Sequence, residues 1–206
     1  MPQKLPPTLA ANVPCYNADH RILPVVEQLV QYVENVIVID DGSTDSCTFP
    51  LDPLPVRVVH FPENRGKGFA LMKGYAAALE DPQITCVASL DADGQHDPAE
   101  LPALYEAFDF EDADLLIGSR QFTGKVPLRS RVGNTVTISV VSALLGHRLP
   151  DTQSGYRLLS RRFLEAMITE VEGGRYETEM ELIGRAIAGN YKLARHPIQT
   201  IYEAGN

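Results

Sequence analysis

Cysteine is scarce in this chain. Cys15, Cys47 and Cys86 are odd in number and scattered. They carry neither the spacing of a metal site nor that of a disulfide framework, which predicts a reduced, cytoplasmic setting. No apolar run approaches the roughly 18 residues that a membrane-spanning helix needs. Work at a membrane would therefore be done from its surface, or through a segment absent from this chain. The opening MPQKLPPTLA lacks the apolar stretch of a secretory signal, so none is expected. A G-x-x-x-x-G-K-[ST] loop is also missing, which excludes the P-loop route to nucleotide phosphates. No Ser/Gly-rich linker, low-complexity tract or internal repeat divides the sequence, so one domain spanning residues 1–206 is expected. With 44% hydrophobic residues, the chain can bury one sizeable core.

Charge is unevenly spread. The formal net charge is −9, yet residues 120–162 hold eight basic side chains and a single acid, Asp151. Separated charge of this kind suits either a solvated basic face or an anionic partner. Nothing in the pattern points to nucleic acid.

The order of elements reads as α/β. HRILPVVEQLVQYV places Ile22, Val25, Val26, Leu29, Val30 and Val33 at helical spacing. NVIVID and ITCVASL are short apolar runs that suit strands buried on both faces. TLAANVP is a weaker first strand, VRVVHF and DLLIGS are further strands, and GFALMKGYAAALE and PAELPALYEAF read as helices. Beyond Arg120, NTVTISVVSALLG is apolar enough for a helix. GYRLLS reads as a strand, RRFLEAMI and YETEMELIGRAIAG as helices, and YKLARHPIQTIY as a closing strand. Alternating strands and helices predict a Rossmann-like three-layer sandwich around a mostly parallel sheet. In such sheets ligands bind at the carboxyl ends of the strands.

The two clearest buried strands both end in acid. VIVIDDGSTD gives Asp40 and Asp41; ASLDADG gives Asp91 and Asp93. On extended chain, residues two apart share a side, so Asp91 and Asp93 repel unless a cation lies between them. Mg²⁺ or Mn²⁺ prefers oxygen ligands and takes one or two carboxylates with substrate phosphates. Gln95 and His96 are further candidate ligands. An Asp-rich turn capping the next helix is the plainer alternative. Asp40 and Asp41 can accept hydrogen bonds from a nucleobase or ribose, although Asp, Gly and Ser are also ordinary turn formers. Tyr16, just past the first strand, could cover a base or simply pack. Lys67, between Gly66 and Gly68, offers a cation for phosphate at a helix start. The arginines of GSRQFTGKVPLRSRVGN and DTQSGYRLLSRR suit phosphate, and interleaved Val and Leu would let that region meet something both anionic and oily. Glu177 and Glu179 are either further acids for the site or favourable helix-start charges.

Together VPCYN, VIDDGSTD, NRGKGFALMKG, LDADGQHDP, GSR, DTQSGYR and YETEMELI, in that order, resemble family 2 glycosyltransferases of the GT-A fold. The likeness runs from about Val13 to Tyr202, and is strongest to polyprenyl-phosphate sugar synthases of the dolichyl-phosphate mannosyltransferase type. It implies transfer of a sugar from a UDP- or GDP-linked donor to a polyprenyl phosphate, with inversion, a Mg²⁺ or Mn²⁺ cofactor, and a peripheral place at the inner membrane face. Carried over by position, Pro14, Tyr16 and Asp41 are implied nucleoside contacts. Asp91 and Asp93, with Gln95, are the implied metal and diphosphate site. Arg120, Arg131 and Arg157 are implied binders of sugar-diphosphate or acceptor phosphate, and Ser154 and Gly155 shape the acceptor pocket. Two departures stand out: Ala18 takes the place of the usual Glu, and the chain stops at IYEAGN where relatives continue, often into membrane helices, so a truncated form is expected.

A phosphate acceptor is already anionic and needs cations rather than a general base. A carbohydrate hydroxyl acceptor would instead need a carboxylate, with Glu177 or Glu179 as candidates. A non-catalytic nucleotide-sugar-binding module is the alternative from another class. A nucleotidyltransferase also pairs carboxylates on an α/β sheet, but its long glycine-rich N-terminal signature is missing.

Overall fold

The computed structural model describes residues 4–120, 154–175 and 177–199. In chain order they form β1 (Leu9–Cys15), α1 (Ile22–Tyr32), β2 (Asn35–Asp40), β3 (Val56–His60), α2 (Lys67–Leu79) and β4 (Cys86–Ser89). They continue with α3 (Leu101–Phe110), β5 (Leu115–Arg120), β6 (Arg157–Ser160), α4 (Arg161–Glu170), α5 (Glu177–Ala188) and β7 (Leu193–Ile198). The apolar stretch NTVTISVVSALLG lies outside the described residues.

The seven strands make one sheet in the order β3-β2-β1-β4-β6-β5-β7. Every pairing is parallel except those of β6, which runs against β4 and β5. Period-two alternation splits the strand residues between two cores. On one face Leu9, Ala11, Val13, Val36 and Val38 pack with α1 and α3 through Val26, Leu29, Leu101 and Leu104. On the other Ala10, Ile37, Ile39 and Val87 pack with α2, α4 and α5 through Leu71, Tyr75, Phe163 and Leu182. The result is the three-layer α/β sandwich that the sequence predicts.

The weak first strand is buried along its whole length: all seven residues of β1 are shielded. Its small side chains let α2 come close. Asn12 donates from Nδ2 to the Leu71 carbonyl at 3.0 Å, and Gly74 abuts Asn12 so tightly that a Cβ there would sit 1.9 Å from its Oδ1. The closing strand is shorter than YKLARHPIQTIY implies. Pro197 falls within β7, an edge strand, where a missing N–H is tolerated.

The parallel ladders bring the carboxyl ends of β1, β2 and β4 to one edge, with Cys15 beside Asp40 and Asn12 beside Ser89. Because β6 is reversed, Ser154 and Gly155, which precede it, arrive at that same edge.

Candidate functional site

A cavity of about 380 Å³ opens at this edge. Pro14, Tyr16, Asp41, Lys67, Asp91 and Asp93, all expected site residues, line it together. Arg21, Asn64 and Arg175 line it as well. Tyr16 is exposed at the rim, with its ring free to cover a flat ligand.

Asp40 and Asp41 separate as neighbours on extended chain must. Asp40 does not line the cavity. Its carboxylate accepts from the Ser43 N–H at 2.8 Å and meets His60 Nδ1 at 2.9 Å, closing the Gly-Ser-Thr turn. Burial pushes the Asp40 carboxyl up, but these hydrogen bonds hold it below the usual range. Asp41 turns the other way. It accepts from the Arg65 N–H at 2.7 Å, the Gly66 N–H at 2.8 Å and Asn64 Nδ2 at 2.9 Å. Three of its roughly four acceptor sites are thereby used to shape the turn before α2.

That turn delivers Lys67, whose Nζ lies 2.7 Å from Asp91 Oδ1 and 3.3 Å from the Glu179 carboxylate. Burial works against the Lys67 charge, but Asp91 and then Glu179 outweigh it, and the ammonium is held above its ordinary value. Conversely, burial would raise Asp91, and Lys67 keeps its carboxyl below the usual range. Glu179 is buried and does not line the cavity.

Asp93 faces a different situation. Its Oδ1 accepts from the Gln95 N–H at 2.9 Å, and its Oδ2 has no partner among the described residues. Gln95 itself is exposed and does not line the cavity; its main chain, not its amide, serves the turn. His96 is buried and tilted against Tyr156, ring centroids 5.4 Å apart. No cluster of three or more His, Cys, Asp or Glu side chains able to hold a metal occurs among the described residues. A divalent ion here would rest on Asp93 and Asp91 and draw its other oxygens from a ligand, which is how Mg²⁺ is commonly held. The oxygen-only donor set fits Mg²⁺ or Mn²⁺.

The arginines divide. Arg157 is 1% exposed and sits behind the cavity rather than in it. Its Nε donates to the Ser154 carbonyl at 3.0 Å and its NH1 to the Glu179 carbonyl at 2.7 Å. Period-two alternation turns the side chain of Arg157, an expected phosphate binder, toward α5. Arg120 ends β5 at the cavity edge. Arg131 lies outside the described residues. Ser154 is buried, and Gly155 presses on Asp91, where a Cβ would meet Oδ2 at 2.4 Å.

Two loops brace the rim. The Asn17 N–H donates to Ser43 Oγ at 3.0 Å, Asn17 Oδ1 accepts from the Thr44 N–H at 2.8 Å, and the Asp19 N–H donates to Asp45 Oδ2 at 2.8 Å. Beneath them the buried, reduced thiols of Cys15 and Cys47 touch at 3.2 Å.

Comparison with known proteins agrees with this geometry. Residues 11–168 match the family described as Glycosyl transferase family 2. The polyprenol monophosphomannose synthase of Mycolicibacterium smegmatis is 32% identical over 90% of this chain and 74% of its own. The UDP-N-acetylglucosamine–dolichyl-phosphate N-acetylglucosaminyltransferase of Methanococcus voltae is 28% identical over 92% of this chain and 84% of its own. Glucosyl-3-phosphoglycerate synthase from Mycobacterium tuberculosis, solved with Mn²⁺ and UDP-glucose, superposes with a TM-score of 0.75 at 21% identity. That superposition covers 96% of this chain and 72% of the other, and it establishes a shared fold.

Proposed function

Because the chain belongs to glycosyl transferase family 2 and is therefore a glycosyltransferase, we propose that it moves a sugar from a UDP- or GDP-linked donor to a polyprenyl phosphate. The observation that carries the acceptor class is the state of the carboxylates. Glu179 is buried against Lys67, and Glu177 accepts from the Arg175 N–H at 3.0 Å; neither lines the cavity. Of the acids that do, Asp41 is engaged by three N–H donors and Asp91 is paired with Lys67. Among the described residues the cavity thus offers no carboxylate free to take a proton from a hydroxyl except Asp93, the better candidate for a metal. A phosphate acceptor needs no such base. Relatives named for polyprenol and dolichyl-phosphate acceptors support the same reading.

In this mechanism Tyr16 covers the base, and the Asp41 turn shapes the nucleoside end. An acceptor phosphate oxygen attacks the anomeric carbon from the face opposite the diphosphate. The bond from that carbon to the diphosphate oxygen breaks, and its electron pair leaves with the nucleoside diphosphate, inverting the centre. Asp93 and Asp91 would hold Mg²⁺ or Mn²⁺, which would supply charge stabilisation at the leaving oxygen. Lys67 keeps Asp91 ionised and in place, and Gly155 leaves room for its carboxylate. Residues 120–148, with five basic side chains and no acid in sequence, supply cations for the acceptor. Since that acceptor is a membrane lipid, the enzyme works peripherally, at the cytoplasmic face where nucleotide sugars are made.

The test is transfer of radiolabelled sugar from UDP- and GDP-sugars into a lipid extract with Mn²⁺ or Mg²⁺ present. Wild-type protein is expected to move label into the organic phase, and Asp93→Ala to lose at least roughly 100-fold of that rate. Label appearing only on a soluble sugar hydroxyl overturns the acceptor assignment. Near wild-type turnover by Asp93→Ala overturns the metal assignment.

A further inference from the structure

Among the described residues three cations line the cavity: Arg21, Lys67 and Arg175. Lys67 is neutralised by Asp91 and Glu179. Arg21 is tied back, its Nε donating to the Ala18 carbonyl at 3.2 Å. Arg65, on the neighbouring turn, is drawn elsewhere, stacking 4.5 Å from the Phe69 ring centroid and 5.5 Å from that of Phe61. Arg175 differs from all of these. Its main-chain N–H donates to Glu177, whose charge also acts on it, but its guanidinium makes no ion pair within 4 Å and no hydrogen bond among the described residues.

The fold takes unusual trouble to place it. The 173–175 loop is pressed onto the start of α2 through a seam of glycines. The Phe69 N–H donates to the Gly174 carbonyl at 3.2 Å. A Cβ on Gly66 would meet that carbonyl oxygen at 2.8 Å, and one on Gly68 at 2.7 Å. Gly66 and Gly173 have φ of 114° and 106°, which side-chain-bearing residues rarely adopt. The Arg175 stem lies against Gly66, its Cγ 3.0 Å from where a Cβ would be. Of the loop's residues, Arg175 alone lines the cavity.

Resting on the donor reading above, we propose that Arg175 is a donor-binding residue whose guanidinium takes phosphate oxygens of the nucleoside diphosphate. Asp41, Asp91 and Asp93 bring three negative charges to the same cavity. Lys67 is already balanced, so an incoming diphosphate requires another cation beside a metal, and a guanidinium fork matches phosphate oxygens two at a time.

The test measures binding of UDP, GDP, uridine and guanosine, with Mn²⁺, to the full chain by calorimetry. Arg175→Ala is expected to weaken the preferred diphosphate roughly 10- to 100-fold. Its nucleoside binding should be unchanged, and Arg175→Lys should recover part of the loss. Lys4→Ala, which removes one remote surface charge, should bind as wild type. In turnover, Arg175→Ala should raise KM for the sugar donor and leave KM for the lipid phosphate alone. Diphosphate binding by Arg175→Ala within twofold of wild type overturns the inference, as does a KM effect confined to the lipid phosphate. Wild-type protein that binds neither UDP nor GDP overturns the donor reading itself, and this inference with it.

Discussion

Replacing Lys67 with Met removes the ammonium between Asp91 and Glu179 while keeping most of the side chain's volume. Coulomb's law at an effective dielectric of about 20 gives roughly 6 kcal/mol for the 2.7 Å pair and roughly 5 kcal/mol for the 3.3 Å pair, before desolvation is subtracted. Breaking one partner out of a buried pair costs about 3–5 kcal/mol. The Lys67 and Asp91 side chains remain 20% and 25% exposed, so the low end applies: about 3 kcal/mol, or a melting point about 6–12 °C lower. The pH dependence identifies the cause. Burial pushes Asp91 up, but Lys67 holds its carboxyl below the ordinary value. Such a group contributes stability above its unfolded pKa near 4, and that contribution is lost as pH falls through the folded value. Lys67 is held above its ordinary value, so its contribution is complete below about pH 10.4 and is lost on further rise. In Lys67→Met the strongest force lowering Asp91 is gone and its carboxyl rises. The variant's deficit should therefore be full at pH 7 and smaller at pH 5, where its Asp91 takes up a proton. Urea unfolding of both proteins at the two pH values measures this, and titrations shared by both cancel in the difference. An equal deficit at pH 5 and pH 7, or one below about 0.5 kcal/mol at pH 7, refutes the reasoning.

Gly68→Ala should destabilise by about 2–3 kcal/mol in a thermal melt and weaken donor binding, because its Cβ would lie 2.0 Å from Thr178 Oγ1 and 2.7 Å from the Gly174 nitrogen; an unchanged melting point contradicts the seam. Ser160→Ala should lose about 1–2 kcal/mol in urea unfolding with donor affinity intact, since Oγ caps α4 through the Phe163 N–H at 3.2 Å and donates to Asp114 at 2.9 Å.

Much of this was legible in the residues because strand ends carry their own punctuation. Asp41, Asp91 and Asp93 follow apolar runs directly, so parallel pairing alone carries them to one edge. Which of Asp40 and Asp41 enters the cavity was not legible: adjacent residues take opposite sides, and the choice rests on His60 from β3 and Asn64 from the turn. β1 reads weakly because its Ala and Asn residues are chosen for the approach of α2 rather than for strand preference. The burial of Arg157 against carbonyls was not legible either, since in sequence it looks like any arginine meant for a ligand. Arg21, Asn64 and Arg175 reach the cavity by tertiary packing. The paired glycines of GKG and GGR were the available clue to the last of them, but only in combination.

The reversed strand has a consequence for how the enzyme can diversify. Arg120 leaves the sheet, and Arg157 re-enters it, on one and the same margin, locked there by the pairing of Arg157 with Ser89 and Ile117. A connection whose two ends emerge side by side places little demand on its own length, since closing a longer loop adds only slowly to the entropy lost. Under the proposed function, a change in that stretch would alter what receives the sugar while the cavity built from β1, β2, β4 and α2 stays as it is.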